Sequence, residues 1–453
     1  MKFAAVHFLL RHRLSTDLYG HYYRRMAKFA VDISPLKKYR DYRNFWASGL
    51  VSYLGSMITY VAMPLHLKQI TGSYVAVGIL GMIEIVPLII FGLYGGVLAD
   101  SVDRKKMVWA TEAGALLVVS ALLANSLLPN PTTIVIYLAA ALFAVVDGLQ
   151  RPSMGAILPR LVGHDDLASA SNLNSLRFQF GIIVGPTLGG IIFSTFNISV
   201  GYGFDLATYL VSLFFLARVR NIPASKEAEK PSFKALWDGV RYAFSRQDLL
   251  ATYVIDLAAM FFAMPNALFP FWVDHVNAPW ALGLFYSAGM VGALLITLTS
   301  GWTKDYQFHG RAIILAAIGW GAAIALSGLT HSLILVLLCL AAAGASDHIS
   351  ALFRGVIWNQ TIPDHLRGRL AGIEMLSYSI GPLAGQLRAA SVAAATSLSF
   401  SVTSGGVLCV VVVAILAILM PDFRKYDAKT NKYAVEMRES RKNGEISEDE
   451  SKK

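Results

Sequence analysis

The sequence predicts an all-α polytopic membrane protein whose twelve transmembrane helices form two pseudo-symmetric six-helix bundles. Composition, the recurrence of apolar segments and two repeated motifs support this prediction. The 453-residue chain is 55% hydrophobic, only 15% charged and positive in mean hydropathy, which is too apolar for an ordinary soluble domain. Apolar and polar residues do not alternate in ten-residue blocks, so an outer-membrane β-barrel is not expected.

Apolar segments long enough to cross a bilayer recur along the chain, each separated from the next by a short polar break. A helix needs about 20 apolar residues to cross ~30 Å of hydrocarbon. Most of these segments are apolar around their whole circumference, which indicates lipid as the solvent. The predicted spans are 45–68, 74–98, 107–127, 133–157, 170–195, 198–218, 249–273, 279–302, 312–329, 332–357, 369–394 and 399–420.

The positive charges predict the orientation. Odd-numbered connections such as 69–73 and 128–132 contain no Lys or Arg, whereas the alternate connections contain basic residues such as Arg104 to Lys106. The positive-inside rule therefore predicts that both termini lie on the cytoplasmic side of the cell (inner or plasma) membrane. Termini on the same side require an even number of transmembrane helices. We interpret the net charge of +10 as a topology signal with some attraction to the lipid bilayer. Nucleic-acid binding is not expected, because the basic residues form no aromatic-interleaved patch.

Polar stretches divide the chain into five predicted parts. These are a basic cytoplasmic N-terminal segment (1–41), an N-terminal six-helix bundle (42–218), a cytoplasmic linker (219–248), a C-terminal six-helix bundle (249–420) and a charged cytoplasmic tail (421–453). The first segment reads as an amphipathic surface segment or loose tail, because its positive charges follow its apolar run instead of preceding it as in a signal peptide. The tail is dense in charge and is expected to be disordered.

Two motifs recur at matching places in the two halves. The loop after the second span reads Gly96-Val-Leu-Ala-Asp100-Ser-Val-Asp103-Arg104-Lys105-Lys106, and its partial copy after the eighth span retains Gly301, Asp305, Gly310 and Arg311. The fifth span contains Gly181, Gly185, Pro186, Gly189 and Gly190, and the eleventh contains Gly381, Pro382 and Gly385. Each pair is separated by about two hundred residues, which predicts duplication of a six-helix unit.

Both motifs have a direct physical interpretation. In the loop, Gly96 permits close helix approach, while Asp100 and Arg104 can pair or cap helix ends and so form a latch; simple anchoring of the basic residues at the membrane surface is the alternative. In the fifth span, the glycines lie four residues apart on one face and form a smooth seam. Pro186 permits a bend. Helix packing alone would also account for this seam.

Ionisable residues within the predicted spans are the strongest sign of a polar interior, because each costs about 2.5–3.5 kcal/mol at the bilayer centre. Asp147 and Arg151 can pair on one helical face, as can Asp347 and Arg354. We favour Glu84 as a proton carrier, because it has no close basic neighbour in sequence. Structural ion pairing is the alternative for any single residue. The candidates for proton coupling or substrate binding are Glu84, Asp147, Arg151, Arg177, Asp256, Asp347, His348, Glu374 and Arg388.

The motifs resemble those of the major facilitator superfamily, and within it those of proton-linked drug and siderophore exporters. The loop from Gly96 to Lys106 is similar to the signature between helices two and three, and the run from Gly181 to Gly190 is similar to the helix-five motif of the antiporters. The segments 158–162 and 363–369 look closest to the enterobactin-exporter-like branch. One departure is Asp103, which stands near a position where the family usually has glycine, so the turn geometry is expected to differ.

The resemblance implies proton-coupled efflux of a siderophore or a small amphipathic organic compound, by alternating access in a single duplicated chain that is expected to act as a monomer. The loop motif would then be part of a gate, and the glycine seam would help to control access from the two sides. A lysophospholipid or other lipid transporter of the same fold remains an alternative, as does a channel or receptor without proton coupling. No enzyme, cofactor or metal is expected, because the sequence has no phosphate-binding loop, no metal-spaced His/Cys cluster and no nucleophile motif.

Overall fold

The computed structural model describes residues 32–223 and 241–451, and within these ranges the chain is almost entirely helical and has no strand. The predicted all-α membrane fold is confirmed. The twelve helices at the predicted spans are α1 Arg40–Thr71, α2 Tyr74–Ser101, α3 Arg104–Ser126, α4 Thr133–Leu161, α5 Leu167–Thr195, α6 Ile198–Ala217, α7 Gln247–Ala263, α8 Leu282–Thr299, α9 His309–Ser327, α10 Leu333–Thr361, α11 Asp364–Ala395 and α12 Leu398–Leu419. Predicted features within 1–31 and 224–240 lie outside the described residues.

Eleven segments of the described chain are long and apolar enough to cross a membrane. Of the twelve helices α1 to α12, the one not among these segments is α11, which carries Glu374 and Arg388 within its length. Elsewhere the helix ends differ from the predicted spans by only a few residues. Helix α1, for example, begins several residues before its apolar stretch, at Arg40. The ends of the helices therefore emerge from the apolar region and carry the polar connections.

The seventh predicted span, 249–273, is wrong as a continuous helix. Helix α7 ends at Ala263, a 3₁₀ turn covers Asn266–Leu268, and a separate short helix runs over Phe269–His275. Pro265 lies at the break; a proline lacks the backbone N–H and clashes with the preceding turn. The hydropathy of the segment is uniform enough to hide this interruption.

Consecutive helices run in opposite directions, so their ends alternate between two faces of the molecule. One face carries the residues next to the predicted linker, and we call it the linker face. On this face the Arg104 N–H donates to the Ile222 carbonyl at 3.0 Å. The opposite face is the distal face, where Ser126 donates to Ser199 at 2.9 Å. Each helix therefore has a linker end and a distal end.

The same helix pairing is used within both bundles. Gly185 of α5 lies against Met57 of α1, and Gly385 of α11 lies against the Met260 carbonyl of α7. These close approaches require glycine, because a Cβ atom at either position would meet the neighbouring helix. The other members of the predicted seams follow the same pattern: Gly181 and Gly189 face α1, and Gly381 faces α7, while Pro186 and Pro382 lie within unbroken helices.

The two bundles meet closely on the distal side. Gly190 of α5 lies against Gly283 of α8, and Gly81 of α2 lies against the Leu383 backbone of α11. Gly190, Gly283 and Gly81 all lie within eight residues of the distal ends of their helices. We call this contact between the bundles the distal seam. The distal side of the interface between the bundles is therefore closed in this structure.

The expectation of a disordered tail is wrong for residues 421–441. Phe423 and Tyr426 are buried against the linker end of the C-terminal bundle, and the Arg246 guanidinium lies 3.6 Å from the Tyr433 ring centroid. A terminal helix runs over Lys432–Ser451. Burial raises the pKa of the Tyr426 hydroxyl, which stays neutral at physiological pH. A few aromatic anchors hold this tail in place, and its high average charge concealed them.

Candidate transport site

A cavity of about 320 Å³ lies inside the C-terminal bundle. Its walls come from α7, α8, α9, α10 and α11, and most of them are apolar, with three methionines and several aromatic rings. We call it the C-terminal cavity. Its polar lining residues are Asp256, Asn266, Tyr286, Trp320, Asp347, His348, Arg354 and Tyr378. An apolar pocket with a few convergent polar groups is the usual form of a small-molecule site.

Two carboxylates share one guanidinium in this cavity. Arg354 of α10 forms an ion pair with Asp256 of α7, and its Nη2 lies 3.8 Å from Asp347 Oδ1. The side chains of Arg354 and Asp256 are 9% and 4% exposed, whereas that of Asp347 is 38% exposed. The predicted proximity of Asp347 and Arg354 is present, while the stronger pair to Asp256 joins two helices and was not foreseen. Asp347 is the carboxylate that faces the open space.

Two further predicted residues lie beside this pair. Glu374 of α11 lies within electrostatic range of both Arg354 and Asp256. His348 Nε2 lies 2.9 Å from the Thr297 hydroxyl of α8, so the imidazole is hydrogen-bonded across two helices of the bundle. Three carboxyl groups therefore surround one guanidinium, and the region can accept positive charge from a proton or from a ligand.

Glu84 lies on α2, in the other bundle, and is partly exposed. Within the described chain it has no hydrogen bond or ion pair, and its electrostatic neighbours are Tyr60 and Asp147. Tyr60 in turn stacks edge-on against Tyr286 of the C-terminal cavity at 5.5 Å. The isolation that the sequence suggested for Glu84 thus extends to three dimensions, and the residue lies on the side of its bundle that faces the cavity.

Asp147 and Arg151 form the ion pair that their spacing predicted, with 2.7 Å between Asp147 Oδ2 and Arg151 Nη2. Both side chains are nearly half exposed. Arg151 also interacts with Tyr378 of α11, which lines the C-terminal cavity. The pair therefore lies where the N-terminal bundle faces the C-terminal one.

Arg177 and Arg388 lie apart from the cavity. Each guanidinium covers a glycine of a neighbouring helix: Gly49 of α1 under Arg177, and Gly405 of α12 under Arg388. Arg177 Nη1 and Arg388 Nε are buried and have no hydrogen-bond partner among the described residues. Both cations therefore lie between helices of their own bundles and outside the lining of the C-terminal cavity.

Two buried carboxyls, Glu112 and Asp205, are not among the candidates selected from the sequence. Glu112 of α3 accepts hydrogen bonds from Ser52 at 3.2 Å, Gln150 at 2.9 Å and Ser212 at 2.7 Å. Asp205 of α6 is fully buried. Glu112 lies near the end of its predicted span, where placing a carboxyl in the membrane costs little free energy. For this reason it was not selected from the sequence. The available signal was the run of serines and threonines at helical spacing on α1, which predicts a polar face inside the bundle.

The first copy of the loop motif forms a capped turn. Asp103 is the N-cap of α3, and its Oδ1 accepts a hydrogen bond from the Lys106 N–H at 3.1 Å. This cap accounts for the departure from glycine, because an aspartate at an N-cap satisfies a free backbone donor. Arg104 follows in the first turn and is buried. Gly96 lies within α2, and Lys105 lies beside Arg104 at the start of α3.

The second copy differs. Gly301 and Asp305 lie in a 3₁₀ helix after α8, and Gly310 at the start of α9 is buried against the Phe423 backbone of the tail. The Arg311 guanidinium lies 5.0 Å from the Phe308 ring centroid. This copy therefore packs within the C-terminal bundle and its tail, and it does not reproduce the capped turn of the first.

On the distal side, a charged contact crosses between the bundles. Lys68 of α1 pairs with Asp274 of the short helix Phe269–His275 and donates to the Pro270 carbonyl at 2.6 Å. The Lys68 ammonium also lies 5.4 Å from the Phe271 ring centroid. The break in the seventh span thus supplies the residues that meet Lys68.

The family described as transmembrane secretion effector matches residues 30–449 of the chain. The chain is 24% identical over 397 residues to the enterobactin exporter EntS of Shigella boydii, covering 87% of this chain and 95% of the relative. EntS of Citrobacter koseri is 25% identical over 400 residues, with the same coverage.

Solved transporter structures share the fold. The nucleoside transporter NupG superposes with a TM-score of 0.69 at 12% identity, covering 85% of this chain and 99% of that one. A bacterial homologue of the iron transporter ferroportin, in the inward-facing state, superposes with a TM-score of 0.65 at 13% identity, covering 85% and 98%. These likenesses place the twelve helices in a common transporter fold.

Proposed function

Because the chain belongs to the transmembrane secretion effector family of the major facilitator superfamily, we propose that this membrane transporter exports a small organic compound in exchange for protons. The relatives named as enterobactin exporters make a siderophore the first substrate class to test, followed by amphipathic compounds of similar size. The proposed site is the C-terminal cavity together with the surface of the N-terminal bundle that faces it.

The observation that carries this proposal is the set of charged groups in the C-terminal cavity. Arg354, Asp256 and Asp347 lie inside a membrane bundle, where each ionisable group is costly and is retained for a function by default. Methionines 260, 264 and 290 line the apolar walls, and their flexible side chains adapt to ligands of varied shape. The combination suits an organic molecule with an apolar body and at least one polar group.

Transport would proceed by alternating access between the two bundles. The positive charges of the alternate connections support a cytoplasmic position for the linker face. With the distal seam closed, the transporter would then receive substrate from the cytoplasm. Rocking of the bundles would then open the distal seam and close the linker side. The capped turn at Asp103, with Gly96, Asp100 and Arg104, is the proposed latch on the linker side. Glu84 is the proposed proton carrier beside the substrate path.

The test is transport into inside-out membrane vesicles with an imposed proton gradient, using a catecholate siderophore and a fluorescent amphipathic dye as probes. Asp347→Asn and Glu84→Gln each remove a carboxyl that could bind a proton, and each should lower gradient-driven uptake at least about tenfold, a change of about 1.4 kcal/mol. Asp165→Asn, at an exposed position on the linker face, is the matched control and should retain uptake.

Uptake that persists with a protonophore would contradict proton coupling. Uptake of lysophospholipid in place of both probes would assign the fold to lipid transport instead. Full uptake by the Glu84→Gln/Asp347→Asn double variant would remove both residues from the site.

A further inference from the structure

A row of buried and half-buried polar side chains runs through the N-terminal bundle between α1 and α6. On α1 the row consists of Ser48, Ser52, Ser56, Thr59 and His66, which recur at helical spacing and so lie along one side of the helix. The 18 steps along the helix from Ser48 to His66 span about 27 Å at ~1.5 Å per residue, close to the ~30 Å of a bilayer core. We call this the polar row.

Most members on α1 have a partner on α6. The Ser48 and Ser212 hydroxyls lie 2.8 Å apart, the Ser56 and Tyr209 hydroxyls lie 2.8 Å apart, Thr59 donates to Asp205, and His66 Nδ1 lies 3.2 Å from the Tyr202 hydroxyl. Hydroxyl, imidazole and carboxyl groups can each donate and accept a hydrogen bond, so a proton can pass between the two members of each of these four pairs. The row reaches from near the linker face to near the distal face.

Two carboxyl groups occupy the middle of the row. Asp205 is 0% exposed and accepts hydrogen bonds from Thr59 and Thr208, and Glu112 is 5% exposed and accepts three hydrogen bonds from neutral donors. Asp205 lies within electrostatic range of Glu112. Unlike Asp256 in the other bundle, neither has an ion-pair partner among the described residues.

The charged and titratable groups that face this pair are few. Arg177 of α5 lies within electrostatic range of Glu112, and Tyr42 and Tyr53 of α1 lie within range of Arg177. Tyr202 and Tyr209 of α6 flank Asp205. From α4, Gln150 is the direct partner of Glu112, and Asp147 acts on Tyr209 at longer range. Proton uptake by either carboxylate therefore neutralises a negative charge whose direct hydrogen-bond partners are neutral. One guanidinium, that of Arg177, lies nearby.

We propose that Glu112 and Asp205 form a second proton-binding site, and that the polar row connects it to the distal face. The inference rests on the proposed proton-coupled function and extends it. The distal seam at Gly190 and Gly283 closes the route between the bundles, whereas the row passes through the interior of one bundle and does not depend on the seam. A proton entering near His66 and Tyr202 adds to a carboxylate oxygen of Asp205 or Glu112 and is later released from it; no other bond changes.

The position of Glu112 also gives the site a route to the substrate. Its partner Gln150 is adjacent to Arg151, whose pair with Asp147 lies where the bundles face each other. Protonation of Glu112 alters the hydrogen bond to Gln150 and thereby the environment of this pair. Helix α4 is thus the element that would link proton binding in the row to events at the bundle interface.

The test uses the full-length protein in proteoliposomes, with the substrate found by the vesicle assay. Asp205→Asn and Glu112→Gln should each lower proton-driven accumulation at least about tenfold, and leave substrate binding and exchange of labelled substrate without a gradient unchanged. Ser120→Ala on α3 is the control, because the Ser120 hydroxyl donates only to the Leu116 carbonyl and lies outside the polar row; it should retain coupled transport.

Proton-driven accumulation that survives both substitutions would overturn the second site even though the wild type is proton-coupled, and would assign the polar row to helix packing. If the wild type itself ignores a protonophore, the proposed function fails first and the second site fails with it.

Labelling of the wild type keeps the proposal testable should a variant fail to fold. Dicyclohexylcarbodiimide, an apolar reagent, adds to protonated carboxyl groups within membranes, and mass spectrometry locates the adduct. Modification of Asp205 or Glu112 that falls as pH rises supports the site, whereas modification confined to Glu84 or Asp347 overturns it.

Discussion

The two six-helix bundles share one packing plan but hold their buried charges in different ways. In the N-terminal bundle, Glu112 and Asp205 accept hydrogen bonds from neutral side chains and lie in a closed interior. In the C-terminal bundle, Asp256 and Asp347 share Arg354 and border a cavity of about 320 Å³. The glycine contacts of α5 on α1 and of α11 on α7 correspond, whereas the polar interiors do not.

This difference shows which features a duplicated fold retains. Close helix crossings depend on the absence of a side chain at positions such as Gly185 and Gly385, so substitution there is prevented in both copies. Interior polar residues can change as long as each buried group keeps a hydrogen-bond partner. The N-terminal bundle provides hydroxyls and an amide to Glu112 and Asp205, and the C-terminal bundle provides a guanidinium to Asp256 and Asp347. The two halves can therefore take different roles in one transport cycle.

The largest effect should come from removing the cation of the C-terminal cavity. Arg354→Ala leaves Asp256 buried without its partner, and we expect a loss of about 3–5 kcal/mol in the free energy of unfolding. Denaturant unfolding in detergent micelles, followed by tryptophan fluorescence, measures this loss. Arg151→Ala is the control: its pair with Asp147 is nearly half exposed, so its loss should stay below about 1 kcal/mol. Equal losses in the two variants would show that the buried Arg354–Asp256 pair contributes no more to the free energy of unfolding than the exposed Arg151–Asp147 pair.

Most of the fold was available from the sequence, because lipid imposes a simple rule on apolar length. The ends of α4, α5 and α6 agree with the predicted spans to within a few residues. The break at Pro265 was not predicted, since hydropathy averages over a single proline and cannot tell a bend from a break. The packed tail was not predicted either, because its order depends on a surface that only the folded bundle provides for Phe423 and Tyr426.

The candidate site was only partly available from the sequence. Pairs on one helix, such as Asp147 with Arg151, follow from helical spacing alone. The pair of Asp256 with Arg354 joins residues almost a hundred positions apart, and no local pattern indicates which helices will meet. The same holds for Glu112, whose three partners come from three different helices. Spacing therefore predicts which side of a helix is polar, while the partner depends on the tertiary packing.

A smaller effect should follow from adding one methyl group to the distal seam. A Cβ atom at Gly190 would lie 2.9 Å from the Gly283 Cα, so Gly190→Ala forces the bundles apart on that side. We expect a shift of about 1–3 kcal/mol away from the distally closed state, the usual range for overpacking. Gly203→Ala is the matched control, because its added Cβ would meet no atom within 4 Å.

The distance across this seam can be measured with two spin labels. The native cysteines Cys339 and Cys409 are first replaced, and labelled cysteines are then introduced at the exposed positions Phe196 and Trp280. The distance distribution should broaden toward longer values in Gly190→Ala and match the parent in Gly203→Ala. An unchanged distribution in Gly190→Ala would mean that the seam has room to relax and does not set the conformational balance between the bundles.

The smallest effect should come from the charged contact between Lys68 and Asp274. The Asp274 side chain is 52% exposed, and an ion pair in contact with water contributes about 0–1 kcal/mol. Asp274→Asn should therefore shift the same spin-label distances only slightly toward the open form, and added salt should produce a similar shift in the parent by screening the pair. Lys68 keeps its hydrogen bond to the Pro270 carbonyl in this variant, which limits the change further. A shift as large as that of Gly190→Ala would make this pair, and not the glycine contact, the main restraint on the distal side. The closed state would then depend on a contact found only at the broken seventh span and not on the packing plan that the two bundles share.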